Sequence, residues 1–316
     1  MLRSARIVMD METKDVFKRA AAVAASGVLV GSLAVVTGGT ANAAVTGIAA
    51  EPCHVSMHAV AETGKRSFPS VVGWTPPALS RGGYAPTFTS GTPKIASRMN
   101  WGADPGGSSI VGYVVLGSSL YRSVDIHTDG EGGGTGEFEH TETKIADGWD
   151  KFTMIEESWA GTTPTARNAR YGLRNDGVLF RWTNGFKTVA SAPGFTGIKA
   201  MTLISQTATY DTFLANTKAG VLQTIRIPTT TPLKPVVKTV RGSTWQGFEM
   251  MVADRCGTGV LLTAIDKDTK SAYVYKLGHA TGTTTPITNL GKLNEPLGDV
   301  AYSRYTVDAT PPLAGE

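Results

Sequence analysis

An all-β fold is what this sequence predicts, and three observations carry the prediction. Downstream of residue 43 the chain is rich in Gly, Thr and Pro, its apolar runs are short, and no stretch keeps helical periodicity for three turns. A strand-turn-strand unit recurs, with YGLRNDGVLFRW at 171–182 as its clearest copy. A glycine- or threonine-led aromatic element precedes three of these units at intervals of about fifty residues.

In the clearest copy, Tyr171, Leu173, Val178, Phe180 and Trp182 alternate in and out on two short strands, and Arg174-Asn175-Asp176-Gly177 makes the tight turn between them. VGYVVLGSSLYRSVDI (111–126), YDTFLANTKAGVLQTIRI (210–227) and GVLLTAIDKDTKSAYVYKL (259–277) repeat the plan. The aromatic element is GWDKF at 148–152, GFTGI at 194–198 and TWQGF at 244–248, and a strand-like run follows it each time: TMIEES, KAMTLIS, EMMVAD. LGDVAY (297–302) fits the same slot, with no hairpin after it. Counting back, ASRM (96–99) with 111–126 supplies another unit, and VSMHAVAETGKRSFPSVV (55–72) a degenerate earlier one.

Two inner strands and an outer pair at this period read as a β-propeller of about five four-stranded blades, six being the alternative count, closed when the C-terminal half-repeat lends its strand to the first blade. The expected organisation is a leader at 1–43, an N-terminal segment with the degenerate blade at 44–91, the main blades at 92–305 and a tail at 306–316. A pair of β-sandwiches satisfies the same irregular repeats of short strands.

The leader is expected from Lys18-Arg19, the apolar run AAAVAASGVLVGSLAVV and the small-residue site Ala41-Asn42-Ala43, the layout of a secretory signal peptide. The competing reading is a membrane anchor through 20–37. Secretion predicts an extracellular protein with no stable membrane insertion after cleavage. The whole chain carries a net charge of +4, and without the leader's excess of basic residues about +2 remains, with no basic run, which argues against nucleic acid as a partner. Cys53 and Cys256 are the only cysteines, and an oxidising exterior lets them pair; two separate buried thiols are the alternative.

The motif Gly148-Trp149-x-x-Phe152, a strand, then Asp176-Gly177-x-Leu179-Phe180 resembles the blade signature of tachylectin-type five-bladed propeller lectins. Elsewhere Phe195 replaces the tryptophan, and Thr217-Lys218-Ala219-Gly220 or Asp266-Lys267-Asp268-Thr269 replaces the Asn-Asp-Gly turn. The resemblance spans 92–305 and implies extracellular sugar binding at shallow sites between blades, with no catalysis, metal or cofactor. A glycan or a cell-surface polymer is the partner it points to.

Trp149 and Trp245 either pack between blades or offer a ring face to a sugar, with Asp150 and Gln246 as hydrogen-bond partners. Trp159, off the repeat, is a candidate loop aromatic. These five residues form the candidate ligand-binding set. The segment HTDGEGGGTGEFEHTET (127–143) is rich in oxygen ligands and carries His127 and His140, yet matches no calcium-loop or zinc spacing and reads equally as a solvated connection. His54 and His58 lack an acidic partner at ligand spacing. The strand-associated acids Asp125, Glu156, Glu249, Asp254 and Asp299 are what a secreted glycoside hydrolase would have to converge, but they share no repeated position, and no G-x-S-x-G stretch is present. A propeller that binds protein at the cell surface is the remaining class, since a fold does not specify a function.

Overall fold

β-branched and aromatic residues alternate with polar ones along most of the chain, and Gly, Asn, Asp or Thr interrupt them, so the backbone makes strands joined by reverse turns. The structure, a computed structural model, describes residues 52–129, 136–161, 166–183, 185–308 and 310–316. The expected leader at 1–43 lies outside the described residues.

The N-terminal part runs through His54–Val60 (β1), Arg66–Ser67 (β2), Ser70–Val72 (β3), Ala78–Ser80 (β4) and Tyr84–Ala85 (β5). It continues with Pro93–Ala96 (β6), Met99–Asp104 (β7), Gly107–Leu116 (β8), Ser119–Thr128 (β9) and Glu137–Asp147 (β10). Both β6 and β7 pair with β8, so a broken first strand edges the β8-β9-β10 meander. Of the acidic stretch expected as a connection, residues 137–143 are strand, with Glu137 opposite Thr128 and His140 opposite Asp125, and residues 130–135 lie outside the described residues.

Three regular four-stranded antiparallel sheets follow. The first holds Phe152–Ala160 (β11), Arg167–Arg174 (β12), Leu179–Thr183 (β13) and Thr188–Ala192 (β14). Next come Ile198–Gln206 (β15), Tyr210–Thr217 (β16), Leu222–Pro228 (β17) and Val236–Arg241 (β18), then Met250–Cys256 (β19), Gly259–Asp266 (β20), Ser271–Leu277 (β21) and Ile287–Lys292 (β22). The last strand, Ala301–Val307 (β23), returns to the N-terminal sheet, antiparallel to β1 and parallel to β7. First strands of successive sheets lie against one another: β6 against β11, β11 against β15, β15 against β19, β19 against β23, and β23 against β6.

One backbone hydrogen bond repeats from sheet to sheet. The residue in the slot before a first strand donates its N–H to the turn between the second and third strands of the preceding sheet. The pairs are Phe88 to Gly64 (3.0 Å), Trp149 to Ser118 (2.9 Å), Phe195 to Gly177 (2.9 Å), Trp245 to Gly220 (3.0 Å) and Leu297 to Lys270 (2.9 Å). The turn needs a left-handed residue at or beside the acceptor, at φ +82° for Gly177, +89° for Gly220 and +55° for Lys270. Sequence comparison suggested that the other copies had lost the Asn175-Asp176-Gly177 turn; its geometry persists without its residues. Gly177 is the most constrained, because a Cβ there would sit 2.1 Å from the amide nitrogen of Thr196.

Apolar side chains fill the spaces between sheets: Tyr171, Leu179, Phe213 and Leu222 in one cluster, Val55, Met57, Val252 and Leu261 in another. Cys53 and Cys256 form a disulfide, Cα to Cα 5.4 Å, tying the chain just before β1 to the end of β19. The segment 306–316, expected as a tail, is built in: Gly315 donates to Ile204 (2.8 Å), Gln206 to Leu313 (3.0 Å), and Arg226 pairs with the Glu316 carboxylate (3.0 Å).

Candidate functional site

The five first strands together line a shared cavity of about 310 Å³, each contributing several consecutive residues. At its exposed end Lys199 pairs with Glu249, while Lys267 donates its backbone N–H to Glu249 (2.8 Å) and its Nζ to the Val300 carbonyl (3.0 Å). Met154, Met201, Met250 and Met251 form the wall. The enclosed end holds Glu156 on β11 and Arg304 on β23, 8% and 4% exposed. Burial pushes the Glu156 carboxyl up and the Arg304 guanidinium down from their ordinary pKa values.

Buried charges are densely paired, first within the N-terminal eleven-stranded sheet and then between the two sheets that follow. Arg66 on β2 grips Asp125 on β9 with two hydrogen bonds (2.9 and 2.7 Å) and gives its Nε to His58 (3.1 Å). His140 bridges Asp125 (2.6 Å) and Glu142 (3.0 Å), and Glu142 also accepts the N–H groups of Thr89 (2.8 Å) and Ser90 (2.9 Å). The hydrogen bond to Asp125 raises the His140 pKa. For Asp125 burial acts upward, but the bonds from His140 and Arg66 outweigh it and leave the carboxyl below its ordinary range. Farther along, Asp211 on β16 accepts from Ser158 (2.6 Å), Tyr171 (2.6 Å) and both terminal nitrogens of Arg167 (2.7 and 2.6 Å). His140 and Glu142, considered from sequence as metal ligands, are thus engaged in a seam of the N-terminal sheet.

Trp149 and Trp245 are not open platforms. Trp149 is 5% exposed and stacks on Phe152 at 4.2 Å, with Trp182 at 5.3 Å. Trp245 is 6% exposed and lies against Tyr275 at 4.8 Å and Phe248 at 5.6 Å. Repeated large aromatics gain most by removing their area from water, and the packing alternative holds for both. Asp150 and Gln246 are exposed, and the Gln246 carbonyl accepts from Lys199. Trp159 is 37% exposed, opposite Asn168 on β12.

Sequence reasoning passed over Tyr84. Its ring is 81% exposed on β5, at a cleft of about 50 Å³ shared with Arg81, Gly82, Asp299 and Tyr302. Tyr302 donates its hydroxyl to Asp299 (3.0 Å), and Arg81 pairs with Glu295 at 2.6 Å. The signal available was Ser80-Arg81-Gly82-Gly83-Tyr84, a glycine pair setting an aromatic beside a guanidinium. Glycine is required at 82, where a Cβ would meet the Phe68 carbonyl oxygen at 1.7 Å.

The candidate hydrolytic acids fall in three places, with Glu156 and Glu249 both lining the one cavity and Asp254 close enough to Arg304 to act on it. Asp125 is in the first seam, Glu249 at the cavity mouth, Asp299 in the Tyr84 cleft, and Glu156 and Asp254 accept backbone N–H groups of Glu157 and Arg255, both at 2.8 Å.

These features define an all-β chain of repeated four-stranded antiparallel sheets. Among solved structures it is similar to the SapL1 lectin in complex with alpha methyl fucoside, at 6% identity and a TM-score of 0.37, covering 77% of this chain and 98% of that one. At that TM-score the likeness carries no argument, and the architecture stands on strand pairing. No family model and no curated protein matches the chain, so the resemblance to tachylectin-type lectins rests on its motif residues.

Proposed function

We propose that this chain is a secreted β-propeller of five four-stranded blades, closed by β23, that binds carbohydrate without catalysis. The five repeated slot-to-turn hydrogen bonds and the cyclic order of the first strands support the blade count and the closure. The leader pattern and the Cys53–Cys256 pair support export to an oxidising exterior.

The observation that carries the binding role is the Tyr84 cleft. An exposed aromatic face packs against the C–H face of a sugar ring, and the guanidinium, carboxylate and hydroxyl beside it match ring hydroxyls. Trp159 with Asn168 is a second, separate platform of the same chemistry. Where the acids are spent favours binding over hydrolysis, since Glu249 is ion-paired and Glu156 and Asp254 are turned toward backbone amides. A glycan or sugar-bearing cell-surface polymer is the partner.

The test is a glycan array probed with protein lacking residues 1–43. A saturable signal is expected that falls about tenfold or more in Tyr84→Ala, with the melting temperature unchanged. An array with no saturable signal overturns the carbohydrate reading, and a signal lost only in Trp159→Ala moves the site.

A further inference from the structure

Arg304 is the one buried arginine of the cavity lining, and two of its donors are idle. Its Nε and Nη2 are enclosed and have no hydrogen-bond partner among the described residues. Those two N–H groups share one edge of the guanidinium and point in parallel, the edge that matches the two oxygens of a carboxylate.

The protein has acids near enough to act on Arg304 electrostatically, yet none takes that edge. Glu156 accepts the N–H of Glu157 (2.8 Å) and a backbone bond from Arg98, and Asp254 accepts the N–H of Arg255 (2.8 Å) and a backbone bond from Ser56. Other enclosed arginines are treated differently. Arg66 and Arg167 each hold a carboxylate through two nitrogens, and Arg98 and Arg170, each with Nε alone enclosed and unpartnered, reach Glu157 at 3.7 and 3.2 Å. A buried donor without an acceptor costs stability; these two atoms are themselves covered, and a small turn of the Arg304 side chain toward the cavity it lines would give them an acceptor.

We propose that the central cavity binds a small carboxylate with an apolar body, its two oxygens side-on to Nε and Nη2 of Arg304 and its body among Met154, Met201, Met250 and Met251. The cavity volume, about 310 Å³, falls at the small-molecule end of ligand pockets. Flexible, polarizable methionine side chains accommodate apolar shapes of more than one kind. Lys94 and Lys267 at the exposed end draw an anion toward the opening. This site is independent of the carbohydrate reading and survives its failure.

Isothermal titration of the folded protein lacking residues 1–43 tests it, with hexanoate as the probe and hexanol, inorganic phosphate and glucuronate as comparators. Hexanoate is expected to bind saturably, and hexanol about tenfold or more weaker. Glucuronate binding more tightly than hexanoate would overturn the apolar body. Arg304→Met should lose hexanoate binding while keeping a cooperative melt, because Glu156 and Asp254, whose carboxyls burial already pushes up, take a proton when the cation is gone. Should that variant fail to fold, Met250→Trp, which fills the wall without touching the arginine, has to abolish binding. No saturable heat with hexanoate up to about 10 mM, equal binding of phosphate, or hexanoate bound undiminished by either folded variant overturns the proposal.

Discussion

Arg66 and Arg304 are nearly equally enclosed, 1% and 4% exposed, and sit in opposite circumstances. Arg66 spends its donors on Asp125, His58 and the Pro86 carbonyl, and Asp125 is held in turn by His140. Arg304 keeps one edge empty beside a cavity. A buried cation with a complete set of partners holds the strand groups that carry them together, because separating them would strand both charges in a medium of low polarity. A buried cation without them is poised to take an anion from outside. The difference lies in the neighbouring acids: Asp125 faces its arginine, whereas Glu156 and Asp254 face backbone amides.

The largest effect that would break this comparison is expected from Asp125→Ala. Removing the carboxylate leaves Arg66 buried and uncompensated, a loss of about 3–5 kcal/mol that urea denaturation reads directly. A loss below about 1 kcal/mol would show that Arg66 finds relief elsewhere, erasing its distinction from Arg304.

A smaller effect separates charge from backbone as the agent holding strand groups together. Gly177→Ala places a Cβ against the Thr196 amide in a left-handed turn and should cost about 1–3 kcal/mol. Lys270→Gly relieves the side chain that occupies the equivalent conformation and should cost nothing. Equal losses in both variants would mean that the slot-to-turn hydrogen bond, not the left-handed residue, governs the turn.

The smallest effect is the pH dependence of the Arg66 seam. The folded His140 pKa is raised by Asp125, so its contribution is fully present below pH 6.5, the ordinary histidine value, and is lost as pH rises through the folded value. The Asp125 and Glu142 pKa values are lowered, so their contributions are present above the ordinary 3.8 and 4.5 and fade as pH falls through the folded values. The buried His58 acts against His140, since its lowered pKa makes protonation in acid costly. The stability difference between the parent and His140→Asn should therefore shrink as pH rises from 6 toward 9, measured by urea midpoints across about that range. A difference that grows with pH would place the His140 proton elsewhere.

Much of the architecture was legible in residues 92–305. The hairpins at 111–126, 171–182, 210–227 and 259–277 are adjacent strand pairs, and Leu297 occupies the slot that Trp149, Phe195 and Trp245 occupy. Phe88 fills the same slot and went unseen, because the slot is defined by a backbone N–H and the segment around it is too rich in Gly and Pro to show a period. The candidate binding residues were harder to read. By sequence Trp149 and Trp245 could either pack or face a sugar, and nothing in a motif singled out Tyr84 or Arg304.

The sequence by itself determined the strands, the turns and the recurrence of an aromatic before each first strand, since alternation and turn chemistry are local properties of the chain. Only the tertiary structure decided which aromatics are covered and which arginine is left without an acid. Burial and charge pairing are set by residues distant in the chain: Arg66 meets Asp125 from a strand 59 positions on, while Arg304, on the last strand, faces acids already engaged by backbone amides.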